Sequence, residues 1–193
     1  MKKSFISRYF ENKSGEALRK TITPDWRTTE GHLKLLNIPR NINSVLEVGC
    51  GIGRLLKELN KDIPVCVGID ASKDMIREGL EYCANTNIKL YKCDGEGDIP
   101  IDMNTKFDCA FSIITFQHIP NTDTVKKYIT GMYERLNTNG ILKFQVLKND
   151  EFPEKDLWSF HPIDILNEHL QKIGAQNINI EETHRWVFFT CEK

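Results

Sequence analysis

The sequence predicts an α/β protein, a three-layer sandwich whose seven-stranded, mostly parallel sheet closes with an antiparallel C-terminal hairpin strand. Three observations carry this. Short apolar runs of strand character alternate with stretches of helical period from residue 41 to residue 173. One of them, Ser44–Leu56, passes from strand to helix through glycines at 49, 51 and 53. The last two strand-like stretches are separated only by Glu182-Thr183-His184, which is short enough for a hairpin and too short for a crossover. At 193 residues one domain with one sizeable core is expected.

Taken in order, residues 1–40 are polar and mixed, with one or two short helices, the second near residues 28–36, before Pro39 and Asn41 punctuate the chain. Ser44–Val48 is the first strand. At the glycine turn that follows, missing Cβ atoms let the backbone turn sharply and let a ligand approach, and the next helix would present free N–H groups to it. Val65–Ile69 is the second strand and ends in Asp70, with Ser72 as N-cap of a helix carrying Met75, Ile76, Leu80 and Cys83. A third strand, Ile88–Cys93, runs into Asp94-Gly95; the fourth begins at Phe107 and leads to Ser112 and the loop Phe116-Gln117-His118. From Asn121, apolar residues at 125, 128, 129, 132, 133 and 136 form one helical stripe, which reads as core packing. Asn137–Gly140 closes that helix, Ile141–Leu147 is the fifth strand, and residues 148–161 form an aromatic-bearing connection with Trp158 and His161. A last helix from Ile163 ends at Gly174, before strands at 177–181 and 185–190.

Glu47-Val48-Gly49-Cys50-Gly51-Ile52-Gly53 followed by Val67-Gly68-Ile69-Asp70-Ala71-Ser72 resembles the first two motifs of the class I S-adenosylmethionine-dependent methyltransferases, a Rossmann-like family. Phe107-Asp108-Cys109-Ala110-Phe111-Ser112 has the form of that family's fourth strand. Arg135-Leu136-Asn137-Thr138-Asn139-Gly140-Ile141-Leu142 matches a later segment but lacks its usual proline and first glycine. The resemblance covers roughly residues 41–193 as the methyltransferase domain and makes residues 1–40 a helical lid. It implies S-adenosylmethionine as cofactor and S-adenosylhomocysteine as product. Glu47, Gly49, Gly51, Gly53, Asp70, Ala71, Met75, Asp94, Gly95 and Ser112 would hold the cofactor: Glu47 its amino group, Asp70 the ribose hydroxyls, Asp94 and Gly95 the adenine. Asp94 also suits a simple turn through Asp98. On the acceptor side the candidates are Tyr9, Phe10, Trp26, Phe116, Gln117, His118, Trp158 and His161, with His118 as catalytic base or orienting group.

Totals narrow the rest. With 26 basic against 27 acidic residues there is no basic footprint for nucleic acid. No apolar run approaches a bilayer span and the N-terminus lacks a signal core, so a cytoplasmic protein is expected. Within the resembled family, the lack of an inserted substrate domain and of an N/D-P-P-Y/F tetrapeptide after strand four favours a small-molecule acceptor, with the protein a monomer or homodimer. Six cysteines without a C-x-x-C pair suggest small core residues, no metal site and a reducing compartment. Rival readings are a methyltransferase for protein or RNA, a non-catalytic cofactor-binding subunit, and an NAD-dependent oxidoreductase. Arg54 counts against the last, because it stands where the dinucleotide fingerprint has a third glycine or alanine.

Overall fold

The computed structural model describes residues 29–148 and 158–193. In chain order these form α1 (Thr29–Leu36), β1 (Ser44–Val48), α2 (Arg54–Leu59), β2 (Val65–Asp70), α3 (Lys73–Tyr82), β3 (Lys89–Lys92) and β4 (Phe107–Ser112). After a 3-10 turn (Phe116–His118) come α4 (Thr122–Glu134), β5 (Leu136–Leu147), α5 (Ile163–Lys172), β6 (Gln176–Glu182) and β7 (Trp186–Glu192). The strands make one seven-stranded sheet in the order β3-β2-β1-β4-β5-β7-β6. β1 runs parallel to β2 and β4, β2 to β3, and β4 to β5, whereas β7 lies antiparallel between β5 and β6. The chain winds outward from β1 to β3 and then returns to β4, so the crevice of the sheet opens between β1 and β4.

Alternation along each strand divides the core into two layers. Val45, Cys66, Cys109 and Phe111 pack with Leu36 of α1, Leu55, Leu56 and Leu59 of α2, and Ile76 of α3. Leu46, Val67, Ala110, Leu142 and Phe144 face the other way, onto Val125, Ile129 and Met132 of α4 and Leu166 and Leu170 of α5. The apolar stripe on α4 is therefore core, as its spacing predicts. Helix ends follow their caps: the Ser72 side chain accepts the Met75 N–H, Asn121 accepts the Asp123 N–H, and Gly174 at φ 87° closes α5. All six cysteines are free and buried.

At the edge of the sheet where β1 and β4 begin, Asp108 ties three segments together. Its Oδ2 accepts the N–H groups of Asn43 and Ser44, at 2.8 and 3.0 Å, and the Ser44 hydroxyl. Its Oδ1 accepts Asn137 Nδ2 at 2.7 Å. This last contact accounts for a difference from the expected boundaries: β5 starts at Leu136, which pairs with Phe107, and the expected turn at 137–140 is carried as an irregularity within the strand, with Asn139 at φ 64°. β6 extends beyond both ends of the predicted 177–181, β7 starts one residue later and ends two residues later than the predicted 185–190, and the 3-10 turn had no periodic signal to announce it.

Candidate active site

Parallel strands deliver their carboxyl ends to one edge of the sheet, and the loops expected to carry chemistry gather there. After β1 the turn is fastened to β2: the N–H groups of Gly49 and Cys50 both donate to the Ile69 carbonyl, at 2.8 and 3.0 Å, and the Gly53 N–H donates to Cys50 O at 2.9 Å. Gly51 N–H donates to Asp70 Oδ2 at 2.8 Å, and Ser72 N–H to Asp70 Oδ1 at 2.8 Å. These turn amides are engaged within the protein, so the turn itself is a fixed template. Gly49 sits at φ 78°, and a Cβ there would collide with the Thr115 side chain, so the loop after β4 lies directly on the glycine turn. Gly95 in turn lies against Ala71, where an added Cβ would come within 3.3 Å of the alanine methyl.

Charge is concentrated beneath this turn. Glu47 is 3% exposed, and its Oε2 has no hydrogen-bond partner. Burial raises its pKa well above the ordinary value; Arg54 opposes the rise and Asp70 adds to it. Burial also raises Asp70, against the lowering effect of the Ser72 and Gly51 N–H groups. Arg54 turns away from the crevice toward α1, where its guanidinium donates to Thr29 Oγ1 at 2.9 Å and meets His32 Nδ1 at 3.0 Å. Asp94 is exposed, and its Oδ1 accepts the N–H groups of Glu96 and Asp98, at 2.7 and 3.4 Å, so it does form the turn considered for it. Met75 is buried against Ile52, and Ser112 is fully buried with its hydroxyl donating to Val48 O at 2.9 Å.

Across the crevice, the loop after β4 turns at Ile114, whose φ is 54°. Gln117 is fully buried, and neither its Oε1 nor its Nε2 has a hydrogen-bond partner. The His118 ring lies 5.0 Å from the Trp158 ring, and Trp158 lies 6.1 Å from Trp186. Phe116 and His161 turn inward instead of lining an opening. Phe116 is fully buried between Tyr128 and Phe144, and His161 is fully buried with Nε2 against Phe116 O at 2.9 Å and Nδ1 against Thr122 Oγ1 at 3.0 Å. In the geometry seen, neither offers a face or a ring nitrogen to an acceptor. Tyr9, Phe10 and Trp26 lie outside the described residues.

Residues 45–140 match the family described as "Methyltransferase domain". The sheet order and the glycine turn agree with that match. Over those residues this is a class I methyltransferase domain. An uncharacterised methyltransferase of Mycobacterium tuberculosis is 28% identical over 108 residues, 55% of this chain and 53% of the relative, so the match spans about half the length of that relative. Among solved structures, a SAM-dependent methyltransferase from Aquifex aeolicus has a TM-score of 0.69 at 18% identity, covering 94% of this chain and 99% of its own. The magnesium protoporphyrin IX methyltransferase of Synechocystis PCC 6803 with bound SAM has a TM-score of 0.69 at 16% identity, covering 97% and 95%. Phosphoethanolamine N-methyltransferase 2 of Haemonchus contortus, solved with S-adenosyl-L-methionine, has a TM-score of 0.68 at 16% identity, covering 91% and 60%.

The residues of this methyltransferase domain fit an adenosyl cofactor on three counts. The unpaired Glu47 oxygen suits a buried ammonium, the missing Cβ at Gly51, where the Met75 sulfur stands 4.0 Å off, leaves the turn open to close approach, and each Asp70 oxygen, with one N–H already bound, retains capacity for a hydroxyl. Among the described residues no group of histidine, cysteine or carboxylate side chains could hold a metal ion, and no helix is long and apolar enough to cross a membrane. Sequence reading missed Trp186. The signal was available: an antiparallel β7 must start at the edge where β5 ends, and Trp186 indeed pairs with Leu147.

Proposed function

We propose that this protein transfers a methyl group from S-adenosylmethionine to the oxygen or nitrogen of a small acceptor, releasing S-adenosylhomocysteine. The observation that carries the reading is Glu47, a buried carboxyl group with an unpaired oxygen two residues before Gly49. A buried acid without a partner is costly, and a cationic ligand offsets that cost. S-adenosylmethionine, when bound, supplies its methyl as a sulfonium-activated electrophile. The protein's part is mostly placement, which contributes as much as about 7–11 kcal/mol in well-oriented reactions. Glu47 holds the amino end of the cofactor, Asp70 its ribose, and the turn at Asp94-Gly95 the adenine edge, next to Ala71 and near Met75. Ser112 sets the β4 end by bonding Val48 O.

On the acceptor side, Gln117 and His118 follow Thr115, which packs on Gly49, Trp158 packs on His118, and His118 takes or orients an acceptor proton at its ring. Tyr9, Phe10 and Trp26 belong to the proposed lid of residues 1–40, whose last helix is moored by the Arg54 contacts to Thr29 and His32. A small acceptor is supported by the near balance of 26 basic and 27 acidic residues and by neighbours of this fold that act on phosphoethanolamine and magnesium protoporphyrin IX. Parallel calorimetric titrations with S-adenosylmethionine, S-adenosylhomocysteine and NAD test the cofactor half. Binding of both adenosyl ligands and not NAD is the expected result; binding of NAD alone would overturn it. Labelled-methyl transfer to a panel of amines, carboxylates and phenols then tests the acceptor half, and label appearing only in protein or RNA would refute it.

A further inference from the structure

Ile114 is the strained point of the crevice. A φ of 54° is costly for a β-branched residue, because its Cβ crowds the following carbonyl, and such a backbone persists only where surrounding contacts over-determine it. The contact here is Gln145, near the C-terminal end of β5. Its Oε1 accepts the Ile114 N–H at 3.0 Å, and the side chain is 1% exposed. Packing alone does not call for an amide at this position: Gln145 pairs across β7 with Phe188, on the layer that holds Phe111 and Ile113. That single bond to Ile114 is the side-chain hydrogen bond Gln145 makes among the described residues.

The turn at Ile114 sets everything after it. Thr115 Oγ1 reaches Ile113 O at 3.0 Å and Gly49 O at 3.4 Å, His118 N–H donates to Thr115 O at 2.9 Å, and Ser159 N–H donates to Gln117 O at 2.6 Å. An extended Ile114 would lift Thr115 off the glycine turn and carry Gln117 and His118 with it. We propose that Gln145 is a positioning residue of the transfer site: by holding the Ile114 N–H it keeps the residue left-handed and seats residues 115–118 against Gly49. The proposal rests on the reading that this crevice binds an adenosyl cofactor, but its first readout does not involve ligand.

The test uses the full chain and three variants: Gln145→Leu, Gln145→Met in case the leucine variant does not fold, and the double variant Gln145→Leu with Ile114→Gly. Glycine takes a positive φ without strain, so it needs no clamp. Amide hydrogen exchange of residues 113–118 should speed up about tenfold in Gln145→Leu and return toward the wild-type rate in the double variant, in line with one hydrogen bond lost and then made unnecessary. Affinity for S-adenosylhomocysteine, measured by calorimetry, should fall and recover in the same order. Unchanged exchange in a folded Gln145→Leu protein would overturn the clamp. A double variant as impaired as the single one would show that Gln145 acts otherwise than through Ile114. Failure of wild type to bind S-adenosylhomocysteine, with the exchange pattern as expected, would refute the cofactor reading and leave the clamp standing.

Discussion

At the scale of single residues, Glu47 makes the sharpest prediction. Its pKa is raised in the folded protein, chiefly by burial, so the native state holds its proton where the unfolded chain has released it. Stability then declines as pH rises above the ordinary 4.5 toward the folded value, by about 1.4 kcal/mol per pH unit across that window. Glu47→Gln should flatten this decline, raising the denaturation midpoint near neutral pH while weakening S-adenosylmethionine binding; a midpoint that falls would refute the account. Gly49 acts by shape. Gly49→Ala puts a methyl into Thr115 at a φ of 78° and should destabilise by at least about 2 kcal/mol in urea unfolding. Asp70→Asn leaves one carbonyl oxygen for two N–H groups and should lower adenosyl affinity about tenfold or more, read by calorimetry.

Among the elements, the connection that ends at His161 was expected to contact an acceptor and is instead an anchor. Its Nε2 meets the Phe116 carbonyl and its Nδ1 the Thr122 hydroxyl, so the ring ties the 3-10 turn to the start of α4. Burial lowers its pKa, against the Phe116 bond. The unfolded chain therefore takes up the proton first, and stability is lost as pH falls below about 6.5. His161→Phe should lose stability at pH 7.5 but show a shallower fall between pH 7 and pH 5, measured by urea titration. Strands, helices, caps and the glycine turn were legible because each rests on local chemistry: period, capping oxygens, a missing Cβ. Residues facing the acceptor were not, because the loop after β4 is shaped by Ile114, which has no turn chemistry of its own and depends on a glutamine thirty-one positions along the chain. Phe116 looked like a pocket aromatic for the same reason. Apolar residues in a loop give no sign of which way the backbone will turn them.

For the whole molecule, the two edges of the sheet divide the labour. The loops proposed for the transfer site occupy one, and Asp108 closes the other. Burial raises its pKa, but bonds from Asn137, Asn43 and Ser44 outweigh this and leave it below the ordinary value. Its contribution is therefore present above pH 3.8 and is lost as pH falls through the folded value. Asp108→Ala should cost about 2–4 kcal/mol in urea without changing adenosyl affinity, since it removes hydrogen-bonded support far from the crevice. Ligand should act on the opposite edge: S-adenosylhomocysteine at a hundred times its Kd should add about 2.7 kcal/mol, raising Tm by several degrees in wild type and by less in Asp70→Asn.

The six cysteines lie buried in different parts of the core, from β1's turn to β7. Folded, they are shielded from reagents; once the sheet opens, all six become reactive together. Thiol labelling followed by mass spectrometry would thus report opening of the fold with no added probe. Partial labelling at Cys50 alone would mark the glycine turn as a piece that loosens before the rest.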